Sequence, residues 1–263
     1  MIARLLGYLW KLPSPAFVVD RVQDLLVPMR DSVNLLTDIY HPRAAQKPPT
    51  VLMRTPYGRG SLFTVMARLF AGQGYTTVIQ SVRGTFGSGG KFDPFFQERD
   101  DGVDTVAWIE RQPWYHGKLG LYGASYLGFV EWAIAAELGD RISAMTTAMT
   151  TSDFHAAIYE GGGFRLEDYV KWISGLDTQE QTSVLVRNLK ERLLGDPRKG
   201  LYSGLPLGAL DQKVTGKEIP YWRRWVEHDA LADFAERLNR VRSREVADEA
   251  GMVGYDDGAH SRG

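Results

Sequence analysis

Leu119-Gly120-Leu121-Tyr122-Gly123-Ala124-Ser125-Tyr126-Leu127-Gly128 is the stretch around which the chain is organised. A short apolar run from Leu119 to Tyr122 meets Gly123, and beyond Ser125 an apolar stretch from Leu127 to Leu138 continues without a proline. The pattern predicts a strand, a sharp turn and a helix. A residue at the apex of such a turn is strained and exposed above the sheet, and small neighbours, here Gly123, Ala124 and Gly128, let the backbone bend. Ser125 at that apex would offer its hydroxyl to a substrate, with the first helical amides aimed at any oxyanion that forms. Two readings fit: a nucleophile elbow for serine-dependent acyl transfer, or an ordinary tight turn with Ser125 as N-cap. The spacing departs from the commonest elbow, Gly-x-Ser-x-Gly, because the second glycine arrives one residue late, at Gly128.

Composition narrows the function classes. The 263 residues are 44% hydrophobic and 24% charged, enough for one large α/β domain or a domain with a sizeable insertion. With 31 basic and 32 acidic residues, the formal charge of -1 gives no electrostatic reason to expect nucleic acid or an anionic membrane as partner. Small organic substrates fit better. The absence of cysteine removes disulfides, a thiol nucleophile and cysteine-ligated metal, and nothing in the chain calls for a metal or a cofactor. Met1 to Leu12 is apolar with Arg4 and Lys11 interspersed, and reads as a short amphipathic helix packed on the body, with peripheral membrane contact as the alternative. No stretch approaches the roughly 20 apolar residues of a membrane span, so a cytoplasmic location is expected.

Outward from the elbow, strand and helix alternate. Phe17 to Tyr40 reads as an antiparallel hairpin turning at Arg30 to Ser32, and His41 as a plain strand-end residue beside Pro42. Thr50 to Arg54 is a strand covered on both faces, leading into Thr55-Pro56-Tyr57-Gly58. Ligands of open α/β sheets bind at the carboxyl ends of the strands, so the Tyr57 phenol could reach the same space as Ser125. A helix over Leu62 to Phe70, a strand over Tyr75 to Gln80 and a helix over Glu98 to Arg111 follow, the last with an acidic first turn suited to the helix dipole. The intervening Gly84 to Gly90 segment lacks the endings of a phosphate cradle and reads as a flexible loop, tied down by Arg83. His116 reads as lying at the start of the elbow strand, on the face of the sheet opposite the elbow, and so as a poor candidate for the base. Ile142 to Met149 is one more strand. Residues 1–153 therefore predict a doubly wound, mostly parallel sheet with a leading antiparallel hairpin, the α/β-hydrolase plan as far as it goes.

Residues 154–235 break the alternation with helices carrying Trp172, Trp222 and Trp225, and read as a helical cap whose aromatic residues form its own core. His155 and His228 lie in or beside it and read as solvated or structural, with pocket lining as the alternative. Residues 236–263 turn charged and contain no buried-strand run.

Five segments occur in an order that resembles one family. They are Val27-Pro28-Met29-Arg30-Asp31, Arg54-Thr55-Pro56-Tyr57, the run from Val82 to Phe92, the run from Trp114 to Gly120, and Gly123-Ala124-Ser125-Tyr126-Leu127-Gly128. The chain resembles the cocaine esterase and X-Pro dipeptidyl-peptidase family of serine hydrolases (CocE/NonD type), over roughly Phe17 to Leu238. That family's elbow is Gly-x-Ser-Tyr-x-Gly, which accounts for the late glycine. The resemblance implies Ser125 as nucleophile, with the Tyr57 phenol and the backbone N–H of Tyr126 as oxyanion donors. It also implies ester, amide or short peptide substrates, and leaves the oligomeric state open.

The resemblance fails at the end of the chain. Family members place an acid and then a histidine after further strands. Here Gly254-Tyr255-Asp256-Asp257-Gly258 is only loosely like the family's acid segment, which would make Asp257 the acid, and His260 follows three residues later. Three residues reach at most about 10 Å, too little for a strand or helix to intervene. The expectation is that the C-terminal part of the fold is missing and that the tail is not family sequence. Two functions remain: a serine hydrolase acting through an acyl-enzyme, or a catalytically silent fragment that keeps a ligand pocket.

Overall fold

The computed structural model describes residues 7–8, 11–151, 157–160, 163–180, 192–204 and 206–227. The chain divides into two units, residues 1–152 with 240–263, and residues 153–239.

In the first unit, strand β1 (Val19–Pro28) and strand β2 (Asn34–Pro42) form the predicted hairpin, with Val27 opposite Leu35 and an irregularity between Val22 and Leu25. Met29 N donates to the Val33 carbonyl at 2.8 Å and closes the turn. Strand β3 (Thr50–Thr55), helix α1 (Ser61–Gly72), strand β4 (Thr76–Ser81), helix α2 (Glu98–Glu110), strand β5 (Leu119–Ala124), helix α3 (Tyr126–Leu138) and strand β6 (Ala144–Ala148) follow. The sheet order is β1-β2-β4-β3-β5-β6, with β2 antiparallel to β4 and the last four strands mutually parallel. Every residue of β3 and β4 is buried, as the nearly unbroken apolar run of β3 suggested.

The pleat of β5 sorts its side chains between two cores. Leu119 and Leu121 pack with Ile109 of α2 and Ile134 and Leu138 of α3. Tyr122 points to the other face, with Met53, Ala67, Ala71 and Phe70. Apolar side chains buried on both faces in this way each contribute roughly 1.5–3 kcal/mol. The segment after β4 is packed down where the sequence suggested flexibility. Gly84 N reaches the Gly89 carbonyl at 2.9 Å, and Ser88 Oγ donates to the Ser81 carbonyl at 2.8 Å while accepting Leu36 N at 2.9 Å. Arg83 ties it down as expected, through the carboxylates of Asp101 and Asp31, each reached at 2.6 Å. The final strand is shorter than its sequence suggested, because a 3-10 turn occupies Gly139–Arg141 and Met149 adopts φ 47°.

In the second unit a short hairpin of β7 (Tyr159–Glu160) and β8 (Gly163–Phe164) precedes helices α4 (Leu166–Thr178), α5 (Leu210–Thr215) and α6 (Pro220–Glu227). The aromatic residues form this unit's own core, as the sequence implied: Trp222 and Trp225 are fully buried, and Trp225 stacks on Trp172 at 5.9 Å. Buried Asp211 caps the connection by accepting Ile219 N at 2.7 Å. Most of the helix expected over Thr178 to Leu194, together with the charged tail, lies outside the described residues. No described helix is long and apolar enough to cross a membrane.

Candidate active site

Ser125 sits between the last residue of β5 and the first of α3 with φ 56° and ψ −124°. This region is essentially reserved for glycine, and holding a residue with a Cβ there costs about 1–3 kcal/mol. The surroundings impose it. Ser125 N donates to the Ala148 carbonyl of β6 at 2.8 Å, and the Ser125 carbonyl accepts Phe129 N at 3.1 Å in the first turn of α3. An N-cap serine would adopt extended backbone angles and turn its hydroxyl onto the helix amides. Here the side chain makes no capping bond, and the residue is exposed.

The two glycines are explained by close approach. A Cβ on Gly123 would lie 2.4 Å from the Leu127 Cβ, so the strand and helix could not meet at this angle. A Cβ on Gly128 would lie 2.6 Å from Thr150 Cγ2, just past β6. The late glycine therefore serves the packing of α3 against the end of the neighbouring strand.

Tyr57 follows β3, whose carboxyl end is beside that of β5, and its ring is half-buried. Tyr57 lines the same cavity of about 760 Å³ as Gly123, Ala124 and Leu127. The other walls include Met53, Phe63 and Phe70, so the space is apolar. Tyr126, first residue of α3, is buried with its ring edge-on to Phe129 and 5.2 Å from Phe95. Its phenol donates to Glu98 Oε1 at 2.7 Å and accepts Phe95 N at 3.2 Å. Desolvation, reinforced by the Glu98 charge, pushes the phenol well above its ordinary range, so it stays a neutral donor.

Glu98 is itself an ion-pair partner. Arg54 of β3 places Nη2 3.0 Å from Glu98 Oε2, while its Nη1 donates to the Glu98 carbonyl at 2.9 Å and its Nε to Gln80 Oε1 at 2.9 Å. The Nη2 contact is close but poorly directed, so it acts as charge attraction rather than a hydrogen bond. Burial raises the Glu98 carboxyl above its usual range, with Arg54 working against the shift. The acidic first turn of α2 is thus divided. Asp100 is exposed, but Glu98 and Asp101 are each only 2% exposed and face inward to Arg54 and Arg83. Reading all three acids only as suited to the helix dipole misses this. The one signal was an arginine closing an otherwise apolar strand.

A further buried acid was hidden in the apolar helix. Glu131 of α3 is 3% exposed, neither carboxyl oxygen has a hydrogen-bond partner, and burial pushes its pKa to about 10. Its Oε1 would lie 2.8 Å from a Cβ on Gly123.

The two described histidines lie away from Ser125. His41 is at the end of β2, beyond the Tyr40–Thr77 pair, and therefore at the amino-terminal edge of the parallel strands. It packs edgewise on Trp114 at 5.5 Å, and burial lowers its pKa. His116 is exposed just before β5, at the same edge. Both placements agree with the sequence reading. His155, His228, Asp257 and His260 lie outside the described residues.

The sheet order, the strand–serine–helix elbow and the leading hairpin make this an α/β-hydrolase fold. Residues 31–253 match the model of the X-Pro dipeptidyl-peptidase (S15) family, and the chain belongs to that family of esterase- and peptidase-type hydrolases. Cocaine esterase of Rhodococcus sp. (strain MB1 Bresler) is 34% identical over 167 residues, covering 61% of this chain and 29% of its own length. An aminopeptidase from a marine sediment Thaumarchaeota archaeon superposes with TM-score 0.51 at 25% identity, over 62% of this chain and 31% of its own. An alpha-amino acid ester hydrolase superposes with TM-score 0.62 at 22% identity, over 88% of this chain and 41% of its own. The chain thus spans less than half the length of each of these proteins.

Proposed function

We propose that the chain carries the nucleophile and oxyanion-binding part of a serine hydrolase that cleaves ester or amide bonds, X-Pro dipeptidyl bonds among them, through an acyl-enzyme on Ser125. The observation that supports this most is the backbone of Ser125: a strained, exposed serine at a strand-to-helix apex, with a hydroxyl that caps nothing. In this reading Ser125 Oγ attacks the substrate carbonyl, and a histidine takes its proton and returns it to the leaving alcohol or amine. The oxyanion forms against the Tyr57 phenol and the Tyr126 N–H, each donor lowering the barrier by roughly 2.7–4 kcal/mol. Water then releases the acyl group by the same path. His41 and His116 are at the wrong edge of the sheet. That leaves His155, His228 and His260 as the histidines of this chain able to be the base.

The decisive experiment is hydrolysis of p-nitrophenyl acetate and butyrate across a range of pH, beside a folded Ser125→Ala variant. A serine-dependent rate with an inflection near neutral pH is expected. Equal rates for the two folded proteins would instead favour the silent-fragment reading, an elbow without a base.

A further inference from the structure

We infer that Arg54 and Glu98 are positioning residues that brace both proposed oxyanion donors at once, through the phenol of Tyr126 on one side and the end of β3 on the other. The inference rests on the function proposed above.

Tyr126 is the residue whose backbone N–H would face the oxyanion, and its side chain is anchored 2.7 Å from Glu98 Oε1. Fixing the phenol fixes the side-chain torsions, and through them the backbone of the position after Ser125. That backbone must hold a strained neighbour in place, and such strain persists only where the surroundings over-determine it. Glu98 is held in turn by Arg54, at 3.0 Å through the carboxylate and at 2.9 Å through the Glu98 carbonyl. Arg54 is the last but one residue of β3, three residues before Tyr57. Thr55 Oγ1 accepts Tyr57 N at 3.0 Å, so the turn carrying the second donor is tied to the same strand end.

The chemistry of the set argues against mere packing. A phenylalanine at position 126 would fill the same space among Phe92, Phe95 and Phe129. Burying an arginine and a glutamate costs several kcal/mol per ion before pairing. A fold seeking only stability would do as well with apolar side chains there. What the pair supplies is orientation: two directed hydrogen bonds and one charge contact from one guanidinium, and an acceptor aimed at one phenol.

The test uses the full chain and two variants, Tyr126→Phe and Glu98→Gln, with p-nitrophenyl butyrate turnover and inhibition by phenylboronic acid. The boronate adduct on a serine is tetrahedral and needs the oxyanion site, whereas ester binding does not. Tyr126→Phe is expected to lose about 10- to 100-fold in kcat with KM nearly unchanged, a weaker effect than the roughly 10²–10³-fold loss on removing a donor outright. Its boronate affinity should fall in parallel, and Glu98→Gln, which keeps an acceptor for the phenol, should recover part of both. A folded Tyr126→Phe protein with lowered thermal stability but unchanged kcat and boronate affinity would overturn the inference. If Glu98→Gln fails to fold, the Tyr126→Phe comparison decides alone. A parent protein no faster than Ser125→Ala would instead remove the function on which the inference stands, an outcome visible before either variant is made.

Discussion

Gly128 lies so close to Thr150 that a Cβ would come within 2.6 Å of Thr150 Cγ2 and 3.0 Å of Thr150 Cβ. The position of the second glycine in the elbow is therefore set by a neighbouring strand end. Gly128→Ala should destabilise the protein by about 1–3 kcal/mol from overpacking, offset by about 1 kcal/mol of helix propensity. Thr150→Ala removes the methyl in the way together with a buried hydroxyl that has no partner. In a double-mutant cycle by chemical denaturation, Thr150→Ala should restore most of the loss. Simple additivity would show that the contact is not what requires the glycine.

The strain at Ser125 predicts an unusual order of stabilities. Ser125→Ala keeps a Cβ at φ 56°, whereas Ser125→Gly removes it. The glycine variant should therefore be more stable than the alanine variant by about 1 kcal/mol, the reverse of the usual alanine–glycine order. Urea unfolding of the pair measures this directly, and the same pair should be equally inactive on esters.

Glu131 predicts a pH dependence with a definite sign. The folded protein keeps this carboxyl protonated to about pH 10, against an ordinary value of 4.5. Above 4.5 the unfolded chain binds fewer protons than the folded one, so stability falls as pH rises through this window. The slope from one group approaches about 1.4 kcal/mol per pH unit at most. Glu131→Gln should flatten that part of the curve and raise stability at pH 8. An unchanged slope would mean that the carboxyl finds a partner or water in solution.

Arg83 should respond very differently to the loss of its two partners. Asp101 is 2% exposed and Asp31 about half exposed. The Arg83 hydrogen bond holds the Asp31 carboxyl below its ordinary range, but solvent screening makes that arm worth about 0–1 kcal/mol. Removing Arg83 strands the buried Asp101 charge, a change of about 3–5 kcal/mol. Thermal unfolding of Arg83→Met and Asp31→Asn should thus separate widely, and similar values for the two would contradict the burial argument.

Much of the fold was legible because it is periodic. β3 reads as a nearly unbroken apolar run and β4 as a buried strand, and both are buried on both faces, while the β1–β2 hairpin announced itself by alternation around Arg30 to Ser32. Ser125 was legible because only small residues permit that turn. The Arg54–Glu98–Tyr126 set was not, since its members lie 44 and 28 residues apart and meet only once three elements have packed. Glu98 also carried a sufficient local explanation as a helix-dipole acid, and that hid its inward turn. Glu131 was lost for the opposite reason, sitting in an apolar stretch where one polar residue passes for a surface position.

That carboxyl also changes how the folded molecule meets its surroundings. The formal charge of -1 counts every aspartate and glutamate as anionic. With Glu131 protonated up to about pH 10, the native chain carries one negative charge fewer than that count assigns it. The native protein would then focus at a higher pH than its unfolded chain.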